Sequence, residues 1–235
     1  MLKNKSLLIS GISLIITIVM MVTLCSVGFT ASATTGEEIE YWDGQVATSF
    51  AGGTGAKNDP FIIENGGQLY KMVKDYTIYK EADVASVEPK YFKITKDIYL
   101  NNISAEHLVT DDYTLWGKAG YKAWCYAPKD QSTGFSGIID GAGHTVYGVY
   151  HDGTSGNTTT SGFIPNVVGK VEISNLTVKN SIAYGQVAGV MVGLVNGKGT
   201  TLKITNCSVD NSCSRGSVLP TDEGGGRRPR PLLAG

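Results

Sequence analysis

Val171-Glu-Ile-Ser-Asn-Leu-Thr-Val-Lys-Asn-Ser-Ile182 and Leu202-Lys-Ile-Thr-Asn-Cys-Ser-Val-Asp-Asn-Ser-Cys213 align without a gap. Ile173 falls on Ile204, Asn175 on Asn206, Val178 on Val209, and Asn180-Ser181 on Asn211-Ser212. Gly162-Phe163 and Gly193-Leu194 keep the same spacing. A repeat period between about 20 and 50 residues marks a solenoid or a propeller. The pattern inside the repeat chooses between them. Ile173 faces inward, then Leu176 and Val178, so the two-residue alternation of a strand slips at Asn175. Asn accepts the left-handed backbone that a sharp corner needs. Asn180, just ahead of Ile182, repeats the device. Short strands joined by Asn corners describe one coil of a right-handed parallel β-helix. Stacked coils would set Asn175 over Asn206, where side-chain amides hydrogen-bond along the stack.

The same template extends upstream. Val146-Tyr-Gly-Val149 fits Ile173-Ser-Asn-Leu176 and puts Gly148 at the corner, since Gly adopts the same geometry freely. The expected corner ladder is therefore Gly148, Asn175 and Asn206. Tyr91 to Leu100 alternates like a strand, with Phe92, Ile94, Ile98 and Leu100 on one side. Coils are expected from residue 90 to residue 214, with Leu176, Val178, Cys207 and Val209 in the core. Leu69, Met72, Val73 and Tyr76 recur at helical spacing, which predicts a helix over 65–80 that caps the coil stack. An extended segment, 34–64, precedes it. Residues 101–134 interrupt the coil pattern and carry Tyr113, Trp116, Tyr121, Trp124 and Tyr126. Two readings stand. The segment is a flap packed on the flank of the coils, or Trp116, Tyr121 and Trp124 form a contact face for a glycan or a protein.

Composition and address agree with an exported all-β chain. The protein has 235 residues, 42% hydrophobic and 17% charged, with a formal net charge of −1. That balance excludes a protein that grips nucleic acid by bulk electrostatics. Residues 1–33 read as a signal peptide. Lys3 and Lys5 open it, Leu7 to Phe29 is nearly uncharged, and Ala31-Ser-Ala33 places cleavage between Ala33 and Thr34. The rival reading is an uncleaved membrane anchor. After cleavage Cys125, Cys207 and Cys213 remain, an odd number, so packing rather than a disulfide framework must supply stability. Their spacing fits no zinc site, and neither a metal nor a cofactor is expected.

Gly55-x-x-Asn-Asp-Pro-Phe-Ile-Ile63, Tyr91 to Ile98, Phe135-Ser-Gly-Ile-Ile-Asp-Gly-Ala-Gly-His-Thr-Val146 and Gly189-Val-Met-Val-Gly-Leu-Val-Asn-Gly197 together resemble the GLUG-motif β-helix proteins of bacterial cell surfaces. The resemblance covers about residues 42 to 214. It implies a large, secreted, modular β-helix protein that acts as an adhesin or binding scaffold, and the thinness of the catalytic signals favours that reading without catalysis.

Catalytic signals are thin. Asp140 and His144 sit close in sequence and could do acid–base work. A Gly-rich turn in which Asp140 bonds turn amides is the preferred reading. Asp111-Asp112 could help hold a hard cation, or be solvated loop residues, and His107 and His151 are isolated. The runner-up function is a polysaccharide-active enzyme, a lyase or glycoside hydrolase of the β-helix type. The tail, 215–235, holds Arg227, Arg228 and Arg230 in a Gly- and Pro-rich context that breaks with everything before it. It reads as a basic tail for an anionic partner, or as the product of an interrupted or truncated gene. Nothing in it caps the last coil, so self-association through that end is expected.

Overall fold

Each repeat segment becomes a run of short strands separated by left-handed corners. Asn175, Asn180, Asn206 and Asn211 have φ of 54°, 51°, 51° and 41°. Asn tolerates this region because its short polar side chain bonds locally. The computed structural model describes residues 38–80, 82, 84–110, 113–124, 131–151 and 160–216. The expectations for the signal peptide, Ala33, Thr34, Cys125, Tyr126, Asp111-Asp112 and the tail beyond 216 concern residues outside these.

In chain order the strands are β1 (Phe61–Ile63), β2 (Thr77–Tyr79), β3 (Tyr91–Ile94), β4 (Ile98–Tyr99), β5 (Thr133–Asp140), β6 (Thr145–Tyr147), β7 (Tyr150–His151) and β8 (Thr160–Ser161). They continue with β9 (Ile164–Ser174), β10 (Thr177–Lys179), β11 (Ile182–Gly185), β12 (Val187–Ala188), β13 (Val192–Val195), β14 (Thr201–Thr205), β15 (Ser208–Asp210) and β16 (Cys213–Gly216). Three α-helices are described, α1 (Gly66–Asp75), α2 (Ala105–Val109) and α3 (Tyr113–Lys118), besides a 3-10 turn at Val84–Ser86.

The chain is mostly β, with parallel sheets and few helices. One sheet runs β1-β3-β5-β9-β13, with β14 also on β9 and β2 on β5. A second runs β15-β10-β6-β4, a third β16-β11-β7, and β12 pairs with β8. Every one of these pairings is parallel except β2 with β5. The repeat spacing of 31 residues is the register itself. Ile173 pairs with Ile204, Val178 with Val209 and Ile182 with Cys213.

Burial follows the alternation. Phe92, Ile94, Ile98, Leu100, Ile139, Val146, Val171, Ile173, Leu176 and Val178 belong to one buried cluster. The inward face of α1 joins the cluster through Leu69, Met72 and Val73. Asn65 caps α1 by accepting a hydrogen bond from Gln68 N at 3.0 Å, which satisfies one of the helix's orphan donors.

Four expectations need correction. The helix ends at Asp75 rather than 80, because Thr77-Ile-Tyr79 is β-prone and pairs antiparallel with Thr133–Phe135. Residues 101–134 are not a plain loop; they carry α2 and α3 and enter β5 at Thr133. Gly148 does not stand in the Asn175 column. Val146 pairs with Val178, so Gly148 is in register with Asn180. Finally, Val178 is 0% exposed but Val209 is 47% exposed, and Cys207 is only partly covered. Val209 lies on β15, the last described strand of its sheet, so no described strand covers it.

Two substitutions follow. Val178→Ala should lower unfolding free energy in urea by about 2 kcal/mol, and Val209→Ala by less than about 1 kcal/mol, as a buried and a half-open site require. Gly148 has φ +73°, and a Cβ there would lie 2.0 Å from Asn101 O. Gly143 has φ +87° with open space around it. Gly143→Ala should therefore cost about 1–2 kcal/mol, and Gly148→Ala clearly more, in the same melt.

Candidate binding face and its corner ladders

Parallel pairing without slippage lines up outward residues as well as inward ones. On the sheet β4-β6-β10-β15 the outward positions form two columns. Thr145, Thr177 and Ser208 share one. The Thr177 and Ser208 hydroxyls are 2.8 Å apart. Tyr99, Tyr147, Lys179 and Asp210 share the other. The Tyr99 and Tyr147 rings stack with centroids 4.6 Å apart and planes 7° apart. Tyr41 abuts Tyr99 edge-on at 6.1 Å. Tyr99 and Tyr147 are both partly exposed. The column ends in an ion pair, Lys179 Nζ to Asp210 Oδ2 at 2.6 Å.

The electrostatics follow from these contacts. Burial raises the Tyr99 phenol above its ordinary pKa, helped by Tyr147, Asp97 and Tyr41. The hydrogen bond and charge of Asp210 hold the Lys179 ammonium up. In return, Lys179 holds the Asp210 carboxyl below the usual range.

Two ladders border this face. At one corner Asn206 Nδ2 donates to Asn175 Oδ1 at 2.8 Å, and Asn175 Nδ2 donates to Asp140 Oδ1 at 2.9 Å. At the other, Asn211 Nδ2 donates to Asn180 Oδ1 at 2.7 Å. Beneath Asn180 lies Gly148, whose carbonyl accepts from Asn101 Nδ2 at 2.8 Å. The serines that follow the second corner form their own chain. Val149 N donates to Ser181 Oγ, and Ser181 N to Ser212 Oγ, both at 3.0 Å.

Asp140 and His144 serve the corners. Asp140 Oδ1 accepts from Ala142 N at 2.9 Å as well as from Asn175. His144 Nδ1 lies 3.2 Å from Asp97 Oδ1, which also accepts from Thr145 N at 3.0 Å. His107 is not isolated, since its Nδ1 is 2.6 Å from the Tyr121 hydroxyl. His151 is buried in β7 opposite Ala183. Among the described residues no group of three His, Cys, Asp or Glu side chains could hold a metal, and no helix is long and apolar enough to cross a membrane.

Trp116, Tyr121 and Trp124 do not form a shared contact face. Trp116 and Trp124 are buried. Trp124 enters the main core between Trp42 and Phe163 and donates from Nε1 to Phe163 O at 2.9 Å. Trp116 packs with Ile103, Leu108, Tyr150 and Ile182 in a second cluster, and donates to His107 O at 2.9 Å. Tyr121 is partly buried against that cluster, and its hydroxyl accepts from Ser104 N at 3.1 Å. The excursion is thus a flap on β7 and β11. An indole has too much apolar area to leave exposed where a sheet face is open to it. Local periodicity does not reveal the tyrosine column, because its two strands are joined across this excursion, although Tyr99 and Tyr147 both hold outward positions in their strands.

No family model, curated protein or solved structure matches the chain.

Trp124→Ala should lower stability by about 3–5 kcal/mol, the usual cost of emptying an aromatic core site, measured by chemical denaturation. Lys179→Met should let the Asp210 carboxyl rise toward the ordinary aspartate value, read by NMR titration of that side chain. Stability supplied by the Asp210 contact is present above the unfolded aspartate pKa and lost as pH falls through the lower folded one.

Proposed function

We propose that the chain is an exported binding or scaffold module, acting outside the cell or at its surface. In this reading residues 90–214 form a right-handed parallel β-helix, closed at its N-terminal end by the 65–80 region. Its partner is a glycan or surface protein held on the outer face of β4-β6-β10-β15. The GLUG-type motifs and the signal-like N-terminus favour the same reading, which needs neither a cofactor nor catalysis.

The observation that carries the reading is the outward double column. Thr145, Thr177 and Ser208 run beside Tyr99, Tyr147, Lys179 and Asp210 on strands about 4.8 Å apart. A flat row of hydroxyls, phenols and one ion pair offers repeated donors and acceptors to a hydroxyl-rich polymer, while the tyrosine rings supply apolar area. The commitments of Asp140 and His144 favour binding over hydrolysis, because each is held by a different structural partner.

The test is a glycan and surface-protein array probed with the exported full chain. Binding is expected to fall about tenfold for Tyr147→Ala and for Lys179→Ala, with β circular dichroism unchanged. Release of reducing ends or unsaturated products from uronic-acid polymers by the wild-type chain would overturn the non-catalytic reading.

A further inference from the structure

The two ends of the strand stack differ. At the end formed by β1 and β4, the chain closes its own edges. Ile62 N donates to Gly52 O at 2.9 Å, and Ala51 N donates to Ile62 O at 3.0 Å on the far side of β1. Trp42 N donates to Tyr99 O at 2.9 Å on the far side of β4. At the other end, β14, β15 and β16 each pair with one strand only among the described residues. Ile204 and Val209 there are each 47% exposed, although Ile173 and Val178 in the layer beneath are buried.

The amide ladders give this open layer a polarity. Asn206 and Asn211 each commit one N–H of the side-chain amide, to Asn175 Oδ1 and Asn180 Oδ1. Among the described residues no donor reaches Asn206 Oδ1 or Asn211 Oδ1, so a cover that continues the ladders brings side-chain N–H groups to both corners. A second copy placed end to end through this layer would not continue the donor-to-acceptor direction of either ladder. If it paired β14 with itself about its centre, Lys203 would also oppose Lys203. Like charges directly opposite are unfavourable. A parallel strand run of the same repeat has the opposite character. The segment 171–182, laid over 202–213 in the existing register, would put Ile173 over Ile204, Val178 over Val209, Glu172 over Lys203 and Lys179 over Asp210. Its Asn175 and Asn180 would donate to Asn206 and Asn211.

We propose that the open layer of β14, β15 and β16 is a docking surface for a repeat segment from another polypeptide, added as parallel strands. The fitting partner carries Asn at both corners, aliphatic residues over Ile204 and Val209, an acid over Lys203 and a base over Asp210. Main-chain hydrogen bonds supply affinity and the corner amides fix register, as in other strand-addition modes. The inference rests on the coil reading of the repeats.

The probe is a fluorescent synthetic peptide of sequence Val171–Ile182, titrated by anisotropy against the full chain. Saturable binding is expected. It should weaken about tenfold when both peptide asparagines become Asp, which removes the donors, and about as much for Val209→Lys in the protein. Absence of saturable binding at millimolar peptide overturns the proposal, as does equal binding of the Asp peptide. Binding seen only after removal of 217–235 overturns it in favour of the chain's own tail. Sedimentation as a dimer that the peptide does not dissociate overturns it in favour of a second copy. Val178→Lys separates the two readings. The coil reading expects loss of the native melt with that variant whatever the peptide does, and an unchanged melt refutes the coils themselves.

Discussion

A strand of three residues cannot hold itself in place, and most strands here are of that order. What lets them add up is the asparagine corner. Asn175, Asn180, Asn206 and Asn211 turn the backbone sharply in the left-handed region. Each then uses its amide to join the layer above or below. A corner of ordinary residues would cost about 1–2 kcal/mol in backbone strain at each turn. It would also leave polar groups half-buried without partners. The amide ladder removes both costs and ties the register of one layer to that of the next.

Fixed register decides which side chains meet. Because Val146, Val178 and Val209 share one line, their flanking residues must share two outer lines. Stacked tyrosines, paired hydroxyls and the Lys179–Asp210 contact are consequences of that geometry. The excursion from Asn101 onward then distinguishes the faces. Its helices and Trp116 cover β7 and β11, and Trp124 fills the interior. On the face of β4, β6, β10 and β15, Thr145, Tyr147, Thr177 and Lys179 stay partly exposed, bounded by the two ladders.

The same directionality gives the molecule unlike ends. Backbone from 41–62 closes one end by ordinary hydrogen bonds. At the other the amides point their acceptors outward, and apolar side chains that are buried one layer earlier stand half-exposed. Edge strands with charged residues such as Lys203 resist indiscriminate pairing, which leaves room for selective partners rather than for collapse of any strand onto the edge.

Local pattern by itself determined the 31-residue repeat, the left-handed asparagines, the inward positions Phe92, Ile94, Ile98, Leu100, Leu176 and Val178, and the helix that starts after Asn65. These depend on neighbours a few residues apart, so periodicity records them. Tertiary structure alone decided where Gly148 stands, because its column depends on how much chain is spent before the next strand, and outer loops have no period. It decided that Trp116 and Trp124 are core, since an aromatic in an aperiodic segment is buried or exposed according to what open surface that segment meets. It also exposed Val209, which has the pattern of Val178 but no described strand above it. Inward direction is written in the residues, whereas burial requires a second layer of chain to arrive.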